Sequence, residues 1–148
     1  ISGKDGVQGH TRTLWRLLAM YQIPVFLFIN KMDQSGTDQD NLMKELKKEL
    51  DDGCTLFGQA DPDDFYDQLA MCDEIMMEEY LSTGSIKDSQ IEKAVKERKV
   101  FPCLFGSALK LEGIKEFMEA LGKYTTVPSY PQEFGARIYP YEAYRGKT

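Results

Sequence analysis

The sequence predicts an α/β fold in which a parallel sheet lies between layers of helix. Val25-Phe26-Leu27-Phe28-Ile29 is an unbroken apolar run of strand-forming residues, and Val100-Phe101-Pro102-Cys103-Leu104-Phe105 is a second. Segments with apolar residues at helical spacing precede the first run and follow the second. A strand covered on both faces reads as a continuous apolar run, and such strands belong to sheets with helices on either side. The chain has 148 residues, 42% hydrophobic and 28% charged, enough for one domain with its own core.

Along the chain, Ile1-Ser2 reads as the end of a buried strand running into the Gly3 to Gly6 loop, so the expectation is a fragment of a longer protein. Thr11 to Tyr21 carries Leu14, Leu17, Leu18 and Tyr21 at i, i+3, i+4 and i+7, the stripe of a helix packed on a sheet, and Gln22-Ile23-Pro24 stops it. Polar Asn30 follows the first strand at its carboxyl end, the end where open α/β sheets bind ligands. From Gly36 to Lys99 the texture turns to charged helical segments, read as an insertion over about 37–99. Leu42, Leu46 and Leu50 mark one helix, Phe65, Leu69, Cys72 and Met76 a second, and Ile91, Ala94 and Val95 a third. Gly53, Asp61-Pro62 and Gly84 punctuate them.

The proline of the second strand suits only its first turn or a sheet edge. Gly106-Ser107-Ala108 ends that strand, and Ile114, Phe117, Met118 and Leu121 form a further helical face. Residues 1–127 are thus expected to form one domain. Residues 128–148 read as a linker, with Pro128 and Pro131, and a strand from Phe134 to Tyr141 that opens a second, truncated domain.

Composition narrows the function. No apolar run approaches the length of about 18 residues that a membrane span needs, and the N-terminus has no signal-peptide pattern, so the expected location is the cytoplasm. A net charge of −6 disfavours a nucleic-acid-wrapping surface on this piece. Cys54, Cys72 and Cys103 are odd in number and widely spaced, which predicts reduced, mostly buried thiols with no metal role.

Chemistry concentrates in Asn30-Lys31-Met32-Asp33. A guanine ring presents two adjacent donors, N1–H and the exocyclic amino group, and the carboxylate of Asp33 can accept both at once. Adenine offers no such pair and would leave the charge unpaired. Asn30 supplies an amide for N7 and for tying the loop to its neighbours, and the Lys31 stem can lie on the ring face. Guanine O6 wants a backbone N–H, which Gly106-Ser107-Ala108, a run of small residues at the end of the second strand, is expected to provide. Asn30, Lys31, Asp33, Ser107 and Ala108 are therefore the candidate guanine-binding residues, with GTP or GDP as ligand.

These two segments resemble the fourth and fifth motifs of translational GTPases, in the branch of elongation factor G and the ribosomal-protection tetracycline-resistance proteins. Gly3-Lys4-Asp5-Gly6-Val7-Gln8 with Thr11 is similar to the family's segment after the third motif, and Met76-Met77-Glu78-Glu79-Tyr80-Leu81 to its helix ahead of the fifth. Phe134-Gly135-Ala136-Arg137-Ile138-Tyr139 is similar to the first strand of the family's β-barrel domain. Ile29 to Gly36 with Asp38, and an insertion shorter than that of elongation factor G, look more like the ribosomal-protection type. The resemblance implies the C-terminal half of a P-loop-GTPase-type domain, carrying a helical insertion and the start of a β-barrel, in a ribosome-associated protein.

A GTPase also needs a Gly-x-x-x-x-Gly-Lys-[Ser/Thr] loop and ligands for Mg²⁺. No glycine of the chain opens such a loop, and Gly146-Lys147-Thr148 lacks the upstream glycine. The family's switch regions and catalytic histidine are also missing, and His10 reads as a solvent-facing or capping residue. The expectation is that the parent protein hydrolyses GTP with Mg²⁺ held elsewhere, whereas this chain has no catalytic residue and binds the base only weakly. An uncovered edge on the Val25–Ile29 strand would favour self-association. Two readings compete: a non-catalytic α/β protein-interaction module docking through the acidic helices Asn41 to Leu50 and Phe65 to Leu81, and a phosphoacceptor domain using Asp33, which lacks the acidic pair expected at a preceding strand end.

Overall fold

In a computed structural model describing residues 1–58 and 61–125, helix α1 (Gly9–Met20) leads into strand β1 (Leu27–Ile29) and helix α2 (Gln39–Glu49). Strand β2 (Cys54–Leu56) follows, then helices α3 (Pro62–Ala70), α4 (Glu74–Thr83) and α5 (Asp88–Lys96). Strand β3 (Phe101–Phe105) and helix α6 (Ile114–Tyr124) complete the order. The linker and strand expected beyond residue 125 lie outside the described residues, as does Gly146-Lys147-Thr148.

The three strands pair in parallel in the order β1-β3-β2, with Leu27 opposite Cys103 and Cys54 opposite Phe101. Every residue of β3 is buried, as a central strand sandwiched between helices requires. Its side chains alternate between two cores. Phe101, Cys103 and Phe105 join Leu27 and Ile29 against Trp15, Leu18, Leu42 and Leu46 of α1 and α2. Val100 and Leu104 face the other way, toward Leu69, Met76, Ile91, Val95 and Ala120 of α3 to α6. Edge-to-face pairs bind each layer to the sheet, Trp15 on Phe101 at 4.6 Å and Phe28 on Phe117 at 5.3 Å. Full burial of a large apolar side chain such as Phe101 contributes about 2 kcal/mol.

Several expectations change at this level. The helix expected to run on from Phe65 through Met76 is two helices, because Asp73 starts a new one by accepting the N–H groups of Ile75 and Met76 at 2.9 and 3.4 Å. The stretch read as mainly helical also contains β2, a short run of β-formers between Gly53 and Gly58 that extends the sheet beyond β3. In α1 the packed face is Trp15 and Leu18, whereas Leu14, Leu17 and Tyr21 are exposed. Helix spacing identifies a stripe, but α1 has more than one apolar stripe, and the sheet takes the one bearing the sole tryptophan.

Pro102 occupies the second position of a central strand rather than an edge. Phe101 N–H donates to Gly53 O on the β2 side, and Gly106 N–H to Ile29 O on the β1 side. By alternation the nitrogen of residue 102 turns toward β1, one step before that strand begins at Leu27 opposite Cys103. A missing donor at that level breaks no ladder bond.

The outer edge of β1 is not bare. Ile1 N–H donates to Phe28 O at 3.0 Å, Asn30 N–H to Ile1 O at 2.8 Å, and Gly3 N–H to Asn30 O at 2.7 Å. Ser2 and Asn30 thereby form a parallel bridge. The uncovered edge expected on Val25–Ile29 is thus occupied over its carboxyl half by residues 1–3, as the strand-like reading of Ile1-Ser2 itself implies. The three cysteines are free thiols, Cys54 and Cys103 buried and Cys72 half-buried, and burial pushes the Cys103 thiol well above its usual value. No helix of the described residues is long and apolar enough to cross a membrane.

Candidate functional site

Parallel strands side by side place their carboxyl ends together, so the loops leaving β1 and β3 emerge as neighbours. Met32 N–H reaches back to Gly106 O at 3.0 Å and continues the contact past the end of the strands. Just before it the chain turns through Lys31 at φ +68°, a left-handed conformation sparsely used by residues with a side chain. Thr37 closes the loop, its hydroxyl donating to the carbonyls of Met32 at 3.0 Å and Gln34 at 2.9 Å. Asp38 then caps α2 by accepting the Asn41 N–H at 3.1 Å.

Asn30 joins the two loops. Its side-chain oxygen accepts the N–H of Lys31 at 2.8 Å and that of Ala108 at 2.9 Å. Two backbone donors on one carboxamide atom fix that atom as the oxygen, so the amide nitrogen is turned away from them. Among the described residues that nitrogen donates to no partner, which leaves it available to an incoming acceptor.

The β3 loop is built to hold its shape. Ser107 and Glu112 exchange N–H···O bonds at 3.0 Å in both directions. A Cβ on Gly106 would overlap the carbonyl oxygen of Glu112 and stand 3.0 Å from the ring of Phe28, so only glycine lets these backbones approach. Ser107 is fully buried, with its hydroxyl accepting from Lys110 N–H at 3.4 Å.

All five sequence-derived residues therefore lie on the two loops that leave the carboxyl ends of β1 and β3, in different situations. Lys31, Asp33 and Ala108 are exposed, Asn30 is half-buried, and Ser107 is interior. The Gly106–Ala108 amides expected to face a carbonyl all have partners within the chain. Gly106 N–H goes to Ile29 O, Ser107 N–H to Glu112 O, and Ala108 N–H to Asn30. The backbone donors are consumed in joining the loops. Leu109, 89% exposed, is the next residue along, and its N–H meets no acceptor among the described residues. Sequence reasoning passes over Leu109 and Thr37, since neither a backbone donor nor a loop-closing hydroxyl leaves a mark in residue type.

In chemical terms the two loops offer the exposed side chains of Asp33 and Lys31 and the carboxamide N–H₂ of Asn30. A flat heterocycle with paired donors and a carbonyl matches that set. No three His, Cys, Asp or Glu side chains of the described residues converge in a way that could hold a metal ion.

Comparisons with known proteins assign the chain to a family. The family described as "Elongation factor Tu GTP binding domain" matches residues 1–127. Tetracycline resistance protein TetO of Campylobacter coli is 30% identical over 96% of this chain, which corresponds to 25% of that protein. Tetracycline resistance protein TetS of Listeria monocytogenes is 28% identical over 82% of the chain and 21% of its own length. Elongation factor G of Ureaplasma urealyticum is 25% identical over 86% and 26%. The chain thus spans about a quarter of the length of the curated relatives it matches. A solved structure from Thermus thermophilus superposes with a TM-score of 0.68 over 85% of this chain and 26% of the other, at 16% identity, a likeness of fold.

Proposed function

The chain belongs to the elongation factor Tu GTP-binding domain family, and from that premise we propose that its β1 and β3 loops seat the guanine of GTP or GDP. Asp33 accepts N1–H and the exocyclic amino group, and the Asn30 amide meets N7. The Lys31 stem covers one face of the ring. Ser107 holds the second loop in shape from beneath, and O6 is met by Leu109 N–H, or by Ala108 N–H when Asn30 releases it. The observation that carries this reading is the Asn30–Ala108 bond, which brings the two loops to one place.

The whole protein is then a ribosome-associated translational GTPase of the elongation factor G or tetracycline-resistance type, acting in the cytoplasm. The phosphates and Mg²⁺ are held by a loop that this sequence does not contain, so the chain by itself binds the base weakly and does not hydrolyse GTP. Residues 1–127 are the C-terminal half of the nucleotide domain, and residues 128–148 begin the next domain. Self-association of the isolated chain would use the outer edge of residues 1–3 and the exposed Leu14 and Leu17 of α1 with Tyr21 just beyond it. Light scattering that finds only monomer at high concentration contradicts that last point.

The direct test is an amide NMR titration of the chain with GDP and, separately, ADP. The reading expects shifts confined to Lys31, Asp33, Ala108 and Leu109 with GDP and none with ADP. Equal responses to both nucleotides, or shifts elsewhere, would overturn it and favour the protein-interaction module.

A further inference from the structure

Helix α2 reaches back across the sheet edge to the turn between Ser2 and Val7. Glu45 accepts the N–H of Val7 at 2.8 Å. Gly6 stands at φ +64°, and a Cβ there would lie 2.5 Å from both carboxylate oxygens of Glu45, so the carboxylate is seated directly on the turn. One helical turn further on, Glu49 takes two contacts from Arg12 of α1, at 2.9 Å from Nε and 2.8 Å from Nη2. Two carboxylates spaced i, i+4 thus clip α2 onto the Ser2–Val7 turn and the first turn of α1.

The turn so gripped is closed by Ser2 O, which accepts Gly6 N–H at 2.9 Å and Asp5 N–H at 3.3 Å. From the same turn, Gly3 N–H runs to the carbonyl of Asn30 at 2.7 Å. Asn30 in turn holds Ala108. Glu45 also sits on the helix that begins immediately after the Asn30–Thr37 loop, whose last residue is pinned by its own hydroxyl. The loop bearing Asp33 is therefore anchored at both ends, at its entrance through the Ser2–Val7 turn and at its exit through α2, and Glu45 is the side chain that connects the two anchors.

We propose that Glu45 is a positioning residue of the base site: by locking the Ser2–Val7 turn to α2 it fixes where Asn30 and Asp33 stand, and so sets discrimination for guanine. This rests on the guanine reading above. Helix spacing alone would mark Glu45 as one more charge on a solvated helix face.

The test compares GDP with inosine 5′-diphosphate, which keeps N1–H and O6 but lacks the amino group that Asp33 would also accept. Affinities of the full chain are measured by NMR titration for the unchanged protein, Glu45→Ala, Glu45→Gln and Glu45→Asp, alongside thermal unfolding. Removing an acceptor that orders a loop is expected to shrink the GDP-over-inosine preference about five-fold in Glu45→Ala. Glu45→Gln keeps an acceptor oxygen at the same reach and is expected to retain the preference. Glu45→Asp, one methylene too short for Val7, is expected to lose it and serves if Glu45→Ala fails to fold. A residue that merely supports folding lowers both affinities together and leaves their ratio intact, and that result overturns the proposal while the base site stands. An unchanged protein that does not distinguish the two nucleotides overturns the guanine reading, and the proposal with it.

Discussion

Asn30 and Ala108, 78 residues apart in sequence, are joined by a 2.9 Å hydrogen bond from the Ala108 N–H to the Asn30 side-chain oxygen. On the proposed reading one side chain has two jobs, since its oxygen holds the loops together while its nitrogen would meet the base. Two substitutions separate them. Asn30→Ala removes both accepted bonds and is expected to cost about 2 kcal/mol in urea unfolding. Asn30→Asp keeps an acceptor for Lys31 and Ala108, so its stability should stay within about 1 kcal/mol of the original, yet it lacks the N–H₂ and should bind GDP more weakly. Equal stability losses in the two variants would contradict this division.

Gly106 lies where β3 hands over to its loop, with no room for a Cβ between Glu112 O and the Phe28 ring. Gly106→Ala forces the backbone apart and is expected to destabilise the chain by about 3 kcal/mol. Chemical denaturation measures it, and a loss under about 1 kcal/mol would mean that the loop is softer than its paired Ser107–Glu112 bonds imply.

The fold and the site are legible to different depths. Asn30 to Asp33 stands out because the proposed base recognition demands particular side chains in a fixed order after a buried strand, and residue type carries that information. The loop Gly106-Ser107-Ala108 is legible as a run of small residues closing the second strand. What its amides do is not, because a backbone N–H belongs to every residue and its partner is decided by tertiary pairing. Strand β2 leaves no signal because three residues are too few to show a period. Helix α1 is legible as a helix but not in its rotation, since Leu14 and Leu17 are as apolar as Trp15 and Leu18, and only the contact with Phe101 distinguishes them.

Asp73 combines a helix cap with an ion pair, Lys99 Nζ lying 2.5 Å from its second oxygen. The Lys99 ammonium, aided by the Ile75 and Met76 amides, holds the Asp73 carboxyl below its usual value against the opposing effect of burial. A lowered folded value means that the stabilisation is present at neutral pH and everywhere above the unfolded carboxylate value of about 3.9. It is lost as pH falls through the folded value. Unfolding measured from about pH 7 to about pH 2 should show a steeper acid loss for the unchanged chain than for Asp73→Asn. Identical slopes would contradict the assignment.

Arg98 stacks its guanidinium 5.3 Å from the Trp15 ring centre and 5.0 Å from that of Phe101, and it donates to Ile23 O. Arg98→Ala is expected to cost about 1 kcal/mol and to shift the emission of Trp15 to the red as water reaches the ring. Trp15 is the chain's one tryptophan, so the signal is unambiguous. Arg98→Lys should recover only part of the effect, because an ammonium cannot lie flat on the ring. Emission unchanged in Arg98→Ala would remove Arg98 from the packing of α1.

The measurement that bears most directly on the base site is the nucleotide preference of Asp33→Asn. Xanthine carries a carbonyl where guanine carries its amino group, so an asparagine at position 33 can donate to that carbonyl and still accept N1–H. Titration with GDP and with xanthosine 5′-diphosphate should show the unchanged chain favouring GDP and Asp33→Asn favouring the xanthine nucleotide, a swing of at least about ten-fold in the ratio. A ratio that does not move when the carboxylate is replaced would mean that Asp33 never touches the base.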